Sequence, residues 1–414
     1  MIRLLILADD FTGALDTGVQ LAKKGARTRV MTKLEEAQEG ILDESLDVLV
    51  IDTESRHLSA SAAYDKVYAI ARLAVEAGVE YLYKKTDSAM RGNVGAELKA
   101  LIEASGEERL PFLPALPGMN RFVKEGTLYI DSVPVQDSVF GKDPFEPVRY
   151  SRVTDILRNN MEVSAKSFQT LPSEEELREE TGILIFDGAR PEELREQGAF
   201  LKSCGMLHIL AGCAGFGEML PELLNIGSGE GRPLPDFSEQ LLVYCGSLNP
   251  ITRRQLSIGE RAGFYRSLLP AEELLTEEYE QSEAARKQLE KVREILEENP
   301  WVILDAAYDE LTKKLSGDCK ESWRFRIADS LGGFFRLILE NCSIQNVLIT
   351  GGDTLLSCME KVGIAALDPI GEVSAGVVVS SFSYQGKSYY VISKSGGFGV
   401  LELLPAITAK KRKA

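Results

Sequence analysis

The sequence has 414 residues, 44% of them hydrophobic and 27% charged, a composition typical of globular proteins with more than one domain. The 63 Asp and Glu residues outnumber the 47 Lys and Arg residues, and the net charge of −16 argues against general binding to nucleic acids or anionic membranes. No apolar run reaches the roughly 20 residues of a membrane-spanning helix, and the N-terminus has no signal-peptide pattern. We therefore expect a cytoplasmic protein that binds neither nucleic acid nor membrane.

Cysteine and histidine are scarce or unsuitably spaced for several common kinds of site. The six cysteines include no C-x-x-C pair, and the two histidines are His57 and His208. These counts argue against a Cys/His zinc site, against disulfides and against a Ser-His-Asp hydrolase.

The first half of the chain alternates short apolar strands with amphipathic helices, which is typical of a parallel α/β sheet. The predicted strands are Arg3–Leu7, Thr28–Thr32, Asp47–Asp52, Tyr81–Lys84, Gly182–Phe186 and His208–Ala211. The predicted helices are Leu15–Lys23, Ser59–Ala77 and Val94–Ala104. The segment from Pro111 to Pro147 is rich in Pro, Gly and aromatic residues, and we expect it to be irregular and to face a ligand.

A segment of Gly, Pro, Ser and charged residues, Gly227–Asp236, predicts a linker between domains at 1–230 and 237–408. After it, the alternation resumes, with predicted strands Gln240–Cys245, Phe264–Leu269, Trp301–Asp305, Asn346–Thr350 and Tyr389–Ser393. Helices are predicted at Thr252–Ala262 and, as a solvated charged helix, at Leu275–Glu298. The pattern indicates two α/β domains, each built on a mostly parallel sheet flanked by helices.

Polar clusters follow several strands of the first half, where open parallel sheets bind ligands. Asp9 and Asp10 follow the first strand and suit a sugar hydroxyl or Mg²⁺, although helix capping by an aspartate is an equally good explanation. DTESRHL supplies Ser55 and Arg56 at the end of a later strand. KKTDSAMRGNVGAEL then adds cations that can neutralise a carboxylate or phosphate; an exposed ion-pair cluster is the alternative.

Glycine-rich loops follow three strands of the second half, in VYCGSL, VLITGGDT and VISKSGGFG. Glycines allow a backbone to approach phosphates closely, and helix N-termini bind them. The chain has neither a Walker sequence nor a complete G-x-G-x-x-G, so each loop is weak evidence by itself. Together the three loops favour nucleotide phosphates.

Taken in order, ADDFTGALD, DTESRHL, KKTDSAMRGNVGAEL, CGSLNPITRRQ, TGGDT and KSGGFG resemble segments of the four-carbon acid sugar kinase family. The resemblance covers nearly the whole chain, from about Leu4 to Gly399. It implies an N-terminal acid-sugar-binding domain, a C-terminal nucleotide-binding domain and an active site in the cleft between them. The implied reaction is phosphorylation of the terminal hydroxyl of a threonate- or erythronate-like compound by ATP with Mg²⁺.

The resemblance also implies roles for particular residues. It places Asp10, Asp87, Lys85 and Arg91 in catalysis, Asp9, Ser55, Arg56, Ser88 and Arg121 in substrate binding, and Ser247, Gly351, Gly352, Asp353, Thr354, Gly396 and Gly397 in ATP binding. Asp10 and Asp87 are both candidates for the base, and the metal ligands are not identified. Asn120 departs from the family's Gly-Arg pattern, but Asn accepts positive φ readily, so we expect the turn before Arg121 to be kept.

Two alternatives to this activity remain open. The chain could phosphorylate a related acid, such as a 3-oxo-tetronate or a branched acid, or it could sense a sugar acid or nucleotide without turnover. We expect an acid sugar and ATP as its small-molecule partners, and a homodimer as its assembly.

Overall fold

The computed structural model describes residues 1–143, 146–306 and 320–409. The chain divides into two compact units, Met1–Arg232 and Pro233–Ala414. Within the described ranges, no helix has the length and apolar character needed to cross a membrane.

The N-terminal unit contains strands separated by helices. In chain order the strands are β1 (Leu4–Ala8), β2 (Thr28–Met31), β3 (Val48–Asp52), β4 (Tyr81–Lys85), β5 (Arg109–Leu113), β6 (Arg121–Lys124), β7 (Thr127–Ile130), β8 (Val133–Pro134), β9 (Ala165–Phe168), β10 (Gly182–Phe186) and β11 (Ile209–Gly212). The helices are α1 (Phe11–Ala22), α2 (Ala37–Leu42), α3 (Ala60–Ala77), α4 (Val94–Ser105), α5 (Val153–Arg158), α6 (Glu174–Glu179), α7 (Pro191–Ser203), α8 (Ala214–Gly217) and α9 (Leu220–Leu223).

The main sheet of this unit has the order β2-β3-β1-β4-β11-β5-β10-β9, and its neighbouring strands pair in parallel. All residues of β1 and β3 are buried, because helices cover both faces of a parallel sheet. From β1 the chain builds β2 and β3 on one side and β4 on the other. The strand order therefore reverses between β1 and β4, where such sheets bind ligands.

The prediction of an irregular segment from Pro111 to Pro147 was wrong in two places. Residues 111–113 belong to β5, and strands β6, β7 and β8 form a small antiparallel sheet. Two tight turns connect these strands: Glu125 and Gly126 have φ of 52° and 69°, and Asp131 and Ser132 have φ of 49° and 68°. Positive φ at both central residues is the backbone geometry of two-residue hairpin loops.

The C-terminal unit has a sheet that is parallel over most of its width. Its strands are β12 (Leu241–Cys245), β13 (Tyr265–Leu268), β14 (Trp301–Asp305), β15 (Asn346–Thr350), β16 (Ala366–Ser374), β17 (Val377–Tyr384) and β18 (Lys387–Lys394). Its helices are α10 (Pro250–Arg261), α11 (Ala271–Leu274), α12 (Glu283–Glu298), α13 (Lys320–Asn341), α14 (Gly352–Val362) and α15 (Leu403–Thr408). The order is β13-β14-β12-β15-β18-β17-β16, and β16, β17 and β18 form an antiparallel meander at one end. The strand order again reverses beside the first strand, between β12 and β15.

The expected architecture of two domains with mostly parallel sheets is confirmed, with two corrections in the second half. Strands β16 and β17 were not predicted, because their polar and β-branched residues follow no clear period. The predicted charged helix Leu275–Glu298 was too long. Its regular part begins after Ser282, whose side chain accepts the Ala285 N–H, and Glu278 before it has a positive φ of 50°.

One glycine shows how closely the elements of the N-terminal unit pack. A Cβ at Gly95 in α4 would overlap the carbonyl oxygen of Leu157 in α5. We therefore expect Gly95→Ala to lower the free energy of unfolding by about 1–3 kcal/mol, because the overlap outweighs the helix propensity of Ala. Urea unfolding measures this change. Gly118→Ala is the matched control, since a Cβ at Gly118 meets nothing within 4 Å; equal stabilities of the two variants would contradict the prediction.

Candidate functional site

Three neighbouring parallel strands bring the predicted acid-sugar residues to one edge of the N-terminal sheet. Ala8, the last residue of β1, pairs with Asp52 at the end of β3 and with Lys85 at the end of β4. The loops after these strands therefore start side by side. They carry Asp9 and Asp10, Arg56, and Asp87 to Arg91.

Arg56 lies at the centre of this cluster and is 8% exposed. Its Nε donates to Asp9 Oδ2 at 2.7 Å, and its Nη1 donates to Asp10 Oδ2 at 3.0 Å. Its Nη2 lies 3.9 Å from Asp87 Oδ1. One buried guanidinium thus joins carboxylates from the loops that follow β1 and β4.

Asp10 both caps a helix and takes part in the cluster. Its Oδ1 accepts the Gly13 N–H of α1 at 3.1 Å, and its Oδ2 accepts the Thr12 hydroxyl at 2.8 Å. A Cβ at Gly13 would lie 2.8 Å from Lys85 Nζ, so the ammonium of β4 is beside this first turn. Burial acts to raise the pKa of Asp10, but the charges of Arg56 and Lys85 outweigh burial and hold it below its ordinary value. The capping explanation and the ligand-site explanation are compatible.

Asp87 and Arg91 form a two-pronged ion pair, with Nε and Nη2 of Arg91 each 3.0 Å from a carboxylate oxygen. Asp87 Oδ2 also accepts the backbone N–H groups of Ala89 and Arg91, at 3.1 and 3.2 Å. The Asp87 side chain is 9% exposed, so this is not an exposed ion-pair cluster, which was the alternative explanation of this loop. Burial opposes ionisation, but Arg91 and Arg56 hold the pKa of Asp87 well below its usual range.

Arg121 reaches the same region from the small antiparallel sheet. Its Nη1 donates to the Ser88 hydroxyl, and its guanidinium lies 5.0 Å from the centre of the Phe140 ring. The Arg91 guanidinium lies 5.2 Å from the same ring. Asn120 has a φ of 53°, as expected for the turn before Arg121. Sequence reasoning did not select Phe140, since one aromatic residue in an irregular segment gives no signal.

Ser55 is placed differently from the other predicted substrate-binding residues. Its hydroxyl donates to Glu97 of α4, and Glu97 also pairs with Lys84 Nζ at 3.2 Å. Glu97 and Lys84 are 1% and 0% exposed. Ser55 therefore belongs to a buried network beneath the cluster, and its role in substrate binding stays a prediction.

Asn93, one turn before Glu97, completes the support of this loop. Its Nδ2 donates to the carbonyl oxygens of Ser55 at 3.0 Å and Leu58 at 2.8 Å. Sequence reasoning missed Asn93 and Glu97. The available signal was their spacing of four residues at the start of α4, where the three residues between them, Val94, Gly95 and Ala96, are apolar or glycine.

In the C-terminal unit, the three glycine loops also follow neighbouring parallel strands. Cys245 of β12 pairs with Thr350 of β15, and Thr350 pairs with Lys394 of β18. A Cβ at Gly396 would lie 2.8 Å from Ser247 Oγ, and a Cβ at Gly351 would lie 3.3 Å from Thr354 Oγ1. The predicted ATP-binding residues Ser247, Gly351, Gly352, Thr354, Gly396 and Gly397 are thus in adjoining loops.

Gly351 has a φ of 105°, a conformation in which other residues are strained. It precedes α14, which begins at Gly352 and presents free N–H groups there. Asp353 is the exception among the predicted ATP contacts, because Arg324 binds its carboxylate, with Nη2 at 3.0 Å from Oδ1. Its contact with ATP stays a prediction.

Asp305, at the end of β14, is a buried carboxylate that sequence reasoning did not select. Arg253 binds it at 2.6 and 2.9 Å, and Arg266 Nη2 lies 2.6 Å from its Oδ2. Burial is outweighed by these two arginines, which hold the pKa of Asp305 below its ordinary value. These ion pairs connect α10 and β13 to β14, the strand beside β12.

Magnesium was expected with ATP, and the described residues contain no group of three or more His, Cys, Asp or Glu side chains that could hold a metal ion. The carboxylates near the glycine loops, Asp353 and Asp305, are bound by arginines. These residues do not fit a site in which protein side chains alone hold Mg²⁺. In nucleotide enzymes Mg²⁺ is commonly held by phosphates and water with few protein ligands.

Asp52 and Glu54 form a carboxyl pair beside Asp10. Asp52 Oδ1 accepts the Glu54 N–H at 3.0 Å, and Glu54 Oε1 accepts the Phe11 N–H at 3.3 Å. Asp52 Oδ2 is buried and has no partner among the described residues when the carboxyl is ionised. Burial and the neighbouring Glu54 charge raise the pKa of Asp52 well above its ordinary value, and burial raises the pKa of Glu54 as well. In its protonated form Asp52 can donate a hydrogen bond to Glu54.

This pair predicts an unusual pH dependence. Because the folded-state pKa of Asp52 is raised, its contribution to stability is present at low pH and is lost as the pH rises through that pKa. An amide keeps its donor at every pH, so the stability of Asp52→Asn relative to wild type should increase as the pH rises from acidic to alkaline values. Urea unfolding across this range measures the difference.

Asp47→Asn provides a control of opposite sign. The hydrogen bond from Arg27 lowers the pKa of Asp47, so its contribution is present at neutral pH and is lost on acidification. This control variant should be less stable than wild type at neutral pH. If Asp52→Asn and wild type have the same stability at every pH, the protonated pair is ruled out.

Two family models match the chain in turn. A sugar-binding N-terminal domain matches residues 4–220, and a nucleotide-binding C-terminal domain matches residues 242–404. Two solved structures share the fold. A Salmonella typhimurium protein described as a putative tRNA synthase has a TM-score of 0.84 at 19% identity, with 100% of both chains covered. A Haemophilus influenzae protein has a TM-score of 0.75 at 18% identity, covering 98% of this chain and 99% of its own.

Characterised relatives are similar over most of their length. A D-threonate kinase of Salmonella typhimurium is 29% identical, covering 96% of this chain and 95% of its own. A D-erythronate kinase of Heliobacterium modesticaldum is 26% identical, covering 90% and 88%. A 3-oxo-tetronate kinase of Methylobacterium radiotolerans is 24% identical, covering 95% of each chain. With its sugar-binding and nucleotide-binding domains, the chain belongs to the four-carbon acid sugar kinase family and is a sugar-acid kinase.

Proposed function

We propose that this kinase transfers the γ-phosphoryl group of ATP to the terminal hydroxyl of a threonate- or erythronate-like acid. The observation that carries the proposal is the buried cluster of Arg56 with Asp9, Asp10 and Asp87 at the point where the strand order reverses. A polyhydroxy acid needs both acceptors for its hydroxyls and cations for its carboxylate. The cluster and its neighbours Lys85, Arg91 and Arg121 offer both kinds of group.

Within this proposal, Asp10 is the better candidate for the carboxylate that orients the attacking hydroxyl. Its side chain is 25% exposed, against 9% for Asp87. Both oxygens of each carboxylate already accept hydrogen bonds, those of Asp87 from Arg91, so the greater exposure of Asp10 is what favours it. Phosphoryl transfer depends mainly on positioning and charge neutralisation, so a carboxylate with a lowered pKa is adequate. Asp87 then acts by fixing Arg91, which faces the substrate carboxylate or the transferred phosphoryl group.

We assign the ATP phosphates to the glycine loops that contain Ser247, Gly351, Gly352, Thr354, Gly396 and Gly397. Their position at the ends of β12, β15 and β18 supports this assignment, because the first turn of α14 and the glycine amides favour anions. Mg²⁺ would arrive with the nucleotide and neutralise phosphate charge. A reaction between the two domains, a cytoplasmic location and a homodimer stay predictions.

A related acceptor, such as a 3-oxo-tetronate, is the second candidate. The relatives named for D-threonate, D-erythronate and 3-oxo-tetronate are 29%, 26% and 24% identical to this chain. These identities are too close to one another to favour one of the three acids. The purified protein should therefore be given ATP, Mg²⁺ and a panel of four-carbon acids, their 3-oxo forms and branched acids. Acid-dependent ADP release with a phosphate ester on the terminal carbon is the expected result. If none of the acids on the panel causes ADP release, the proposal is overturned.

Arg91→Ala tests the acid-sugar site. Loss of one charge-assisted contact to a carboxylate costs about 1.5–3 kcal/mol, so kcat/KM for the acid should fall by roughly tenfold to a hundredfold. Nucleotide affinity measured without the acid should not change. Steady-state kinetics and calorimetry measure the two quantities.

Arg190→Ala is the control for this change, since Arg190 is an exposed residue that pairs with Glu193 in the same unit. It should leave kcat/KM at the wild-type value. If Arg91→Ala behaves like this control, the loop of Asp87 to Arg91 is not the acid-sugar site.

A further inference from the structure

The loop after β18, residues 395–400, is held from inside by a buried lysine. Lys394 Nζ donates to the carbonyl oxygens of Ser395 at 3.1 Å, Gly396 at 3.0 Å and Phe398 at 3.3 Å. It also donates to Thr252 Oγ1 at 2.8 Å. Lys394 is 2% exposed, and in the described part of the chain its ammonium contacts no carboxylate. Carbonyl oxygens and one hydroxyl therefore bind the ammonium, and its positive charge is not balanced by a carboxylate there.

Two side chains of α10 bind further carbonyl oxygens of this loop. The Thr252 hydroxyl donates to Gly396 O at 2.8 Å. Gln255 Nε2 lies 3.1, 3.2 and 2.8 Å from the carbonyl oxygens of Phe398, Gly399 and Val400. Five carbonyl groups in six residues therefore point toward Lys394, Thr252 and Gln255.

The opposite side of the same peptides carries unused donors. Among the described residues, the N–H groups of Gly396 and Gly397 donate to no backbone carbonyl, whereas Phe398 N donates to Ser395 O at 3.1 Å. Gly397 is exposed. Successive free N–H groups of this kind form a concave site for anions.

Placing an ammonium in this interior has a cost. Burial lowers the pKa of Lys394 to about 8, against an opposing electrostatic effect of Cys245 on β12. An apolar side chain of the same length would fill the space without that cost, so packing does not explain the lysine. The ammonium is explained by the carbonyl groups that it binds.

We propose that Lys394, with Thr252 and Gln255, is a positioning residue for ATP. By holding the loop carbonyls inward, these side chains keep the Gly396 and Gly397 amides turned outward for the nucleotide phosphates. The inference rests on the proposed function in one respect, the assignment of this loop to the ATP phosphates. The new element is that three side chains affect ATP binding indirectly, by orienting the backbone that contacts the phosphates.

Lys394→Met is the test, because it keeps the stem of the side chain and removes its donors. We expect the KM for ATP and the calorimetric Kd for ADP to rise by about tenfold or more, while the KM for the acid changes little. Lys387→Met is the matched control: Lys387 is the exposed first residue of the same strand and should leave both values unchanged. Unchanged ADP affinity in a folded Lys394→Met protein would overturn the proposal.

A pH profile separates positioning from a general loss of stability. The KM for ATP of the wild type should rise above about pH 8, as the ammonium loses its proton, and Lys394→Met should lack this rise. Among the described residues, the other titratable group that faces Lys394 is the Cys245 thiol, whose pKa is raised by burial. Behind it lies Asp305, bound by Arg253 and Arg266. Cys245→Ser should retain the wild-type profile. A rise that persists in Lys394→Met would contradict the proposal.

Two further measurements keep the test decisive. If Lys394→Met does not fold, Thr252→Val and Gln255→Leu remove the same carbonyl contacts singly and should each weaken ADP binding; wild-type affinity in both would overturn the proposal. If the wild type phosphorylates no acid, the proposed function fails, but ADP calorimetry still tests the loop without any acceptor. The two failures are therefore distinguishable.

Discussion

The pairing of one buried guanidinium, Arg56, with three carboxylates determines how the N-terminal unit arranges its site. Charges of this kind are stable in the interior only while every partner is present, and removal of one partner from a buried pair costs about 3–5 kcal/mol. The loops after β1, β3 and β4 are consequently held in one relative position. Asn93, the residue before α4, binds the backbone of the loop that carries Arg56, and Glu97 of α4 binds the Ser55 side chain of that loop.

Each unit has a buried cation at its site, and the groups that bind the cation differ between the two units. In the N-terminal unit the central cation is surrounded by carboxylates, so the site can offer acceptors to hydroxyl groups. In the C-terminal unit the central cation, Lys394, is surrounded by carbonyl oxygens, and the peptide groups then present N–H donors. Carbonyl dipoles carry no net charge, so the positive field of the ammonium persists around the loop. The first arrangement suits a polyhydroxy acid, and the second suits phosphates.

Much of the fold could be predicted because buried parallel strands such as β1 and β3 are continuous apolar runs that end in polar residues. The order of the strands could not, since it depends on long-range packing, and the order alone explains why the loops after β3, β1 and β4 meet. Within the site, charged residues in the loops after β1, β3 and β4 predicted that Arg56 and Asp87 would lie at the same edge of the sheet. The direction of individual side chains was not predictable: Ser55 turns beneath the cluster toward Glu97, and Asp353 turns to Arg324. The raised pKa of Asp52 was not predictable either, because it follows from burial in the folded chain.

The attachment of Arg121 has an evolutionary consequence. Arg121 is carried by the small antiparallel sheet, and its side chain meets the cluster at the Ser88 hydroxyl and the Phe140 ring, outside the buried pairs of Arg56. Substitutions at these positions can alter the shape and charge around an acceptor without leaving a buried charge unpaired. Arg121, Ser88 and Phe140 can therefore be substituted where substitution of Arg56 or Glu97 would destabilise the fold. Among kinases with this fold, the residues that change with acceptor preference should therefore lie in the small antiparallel sheet and around Phe140. The buried ion pairs of Arg56 should stay unchanged.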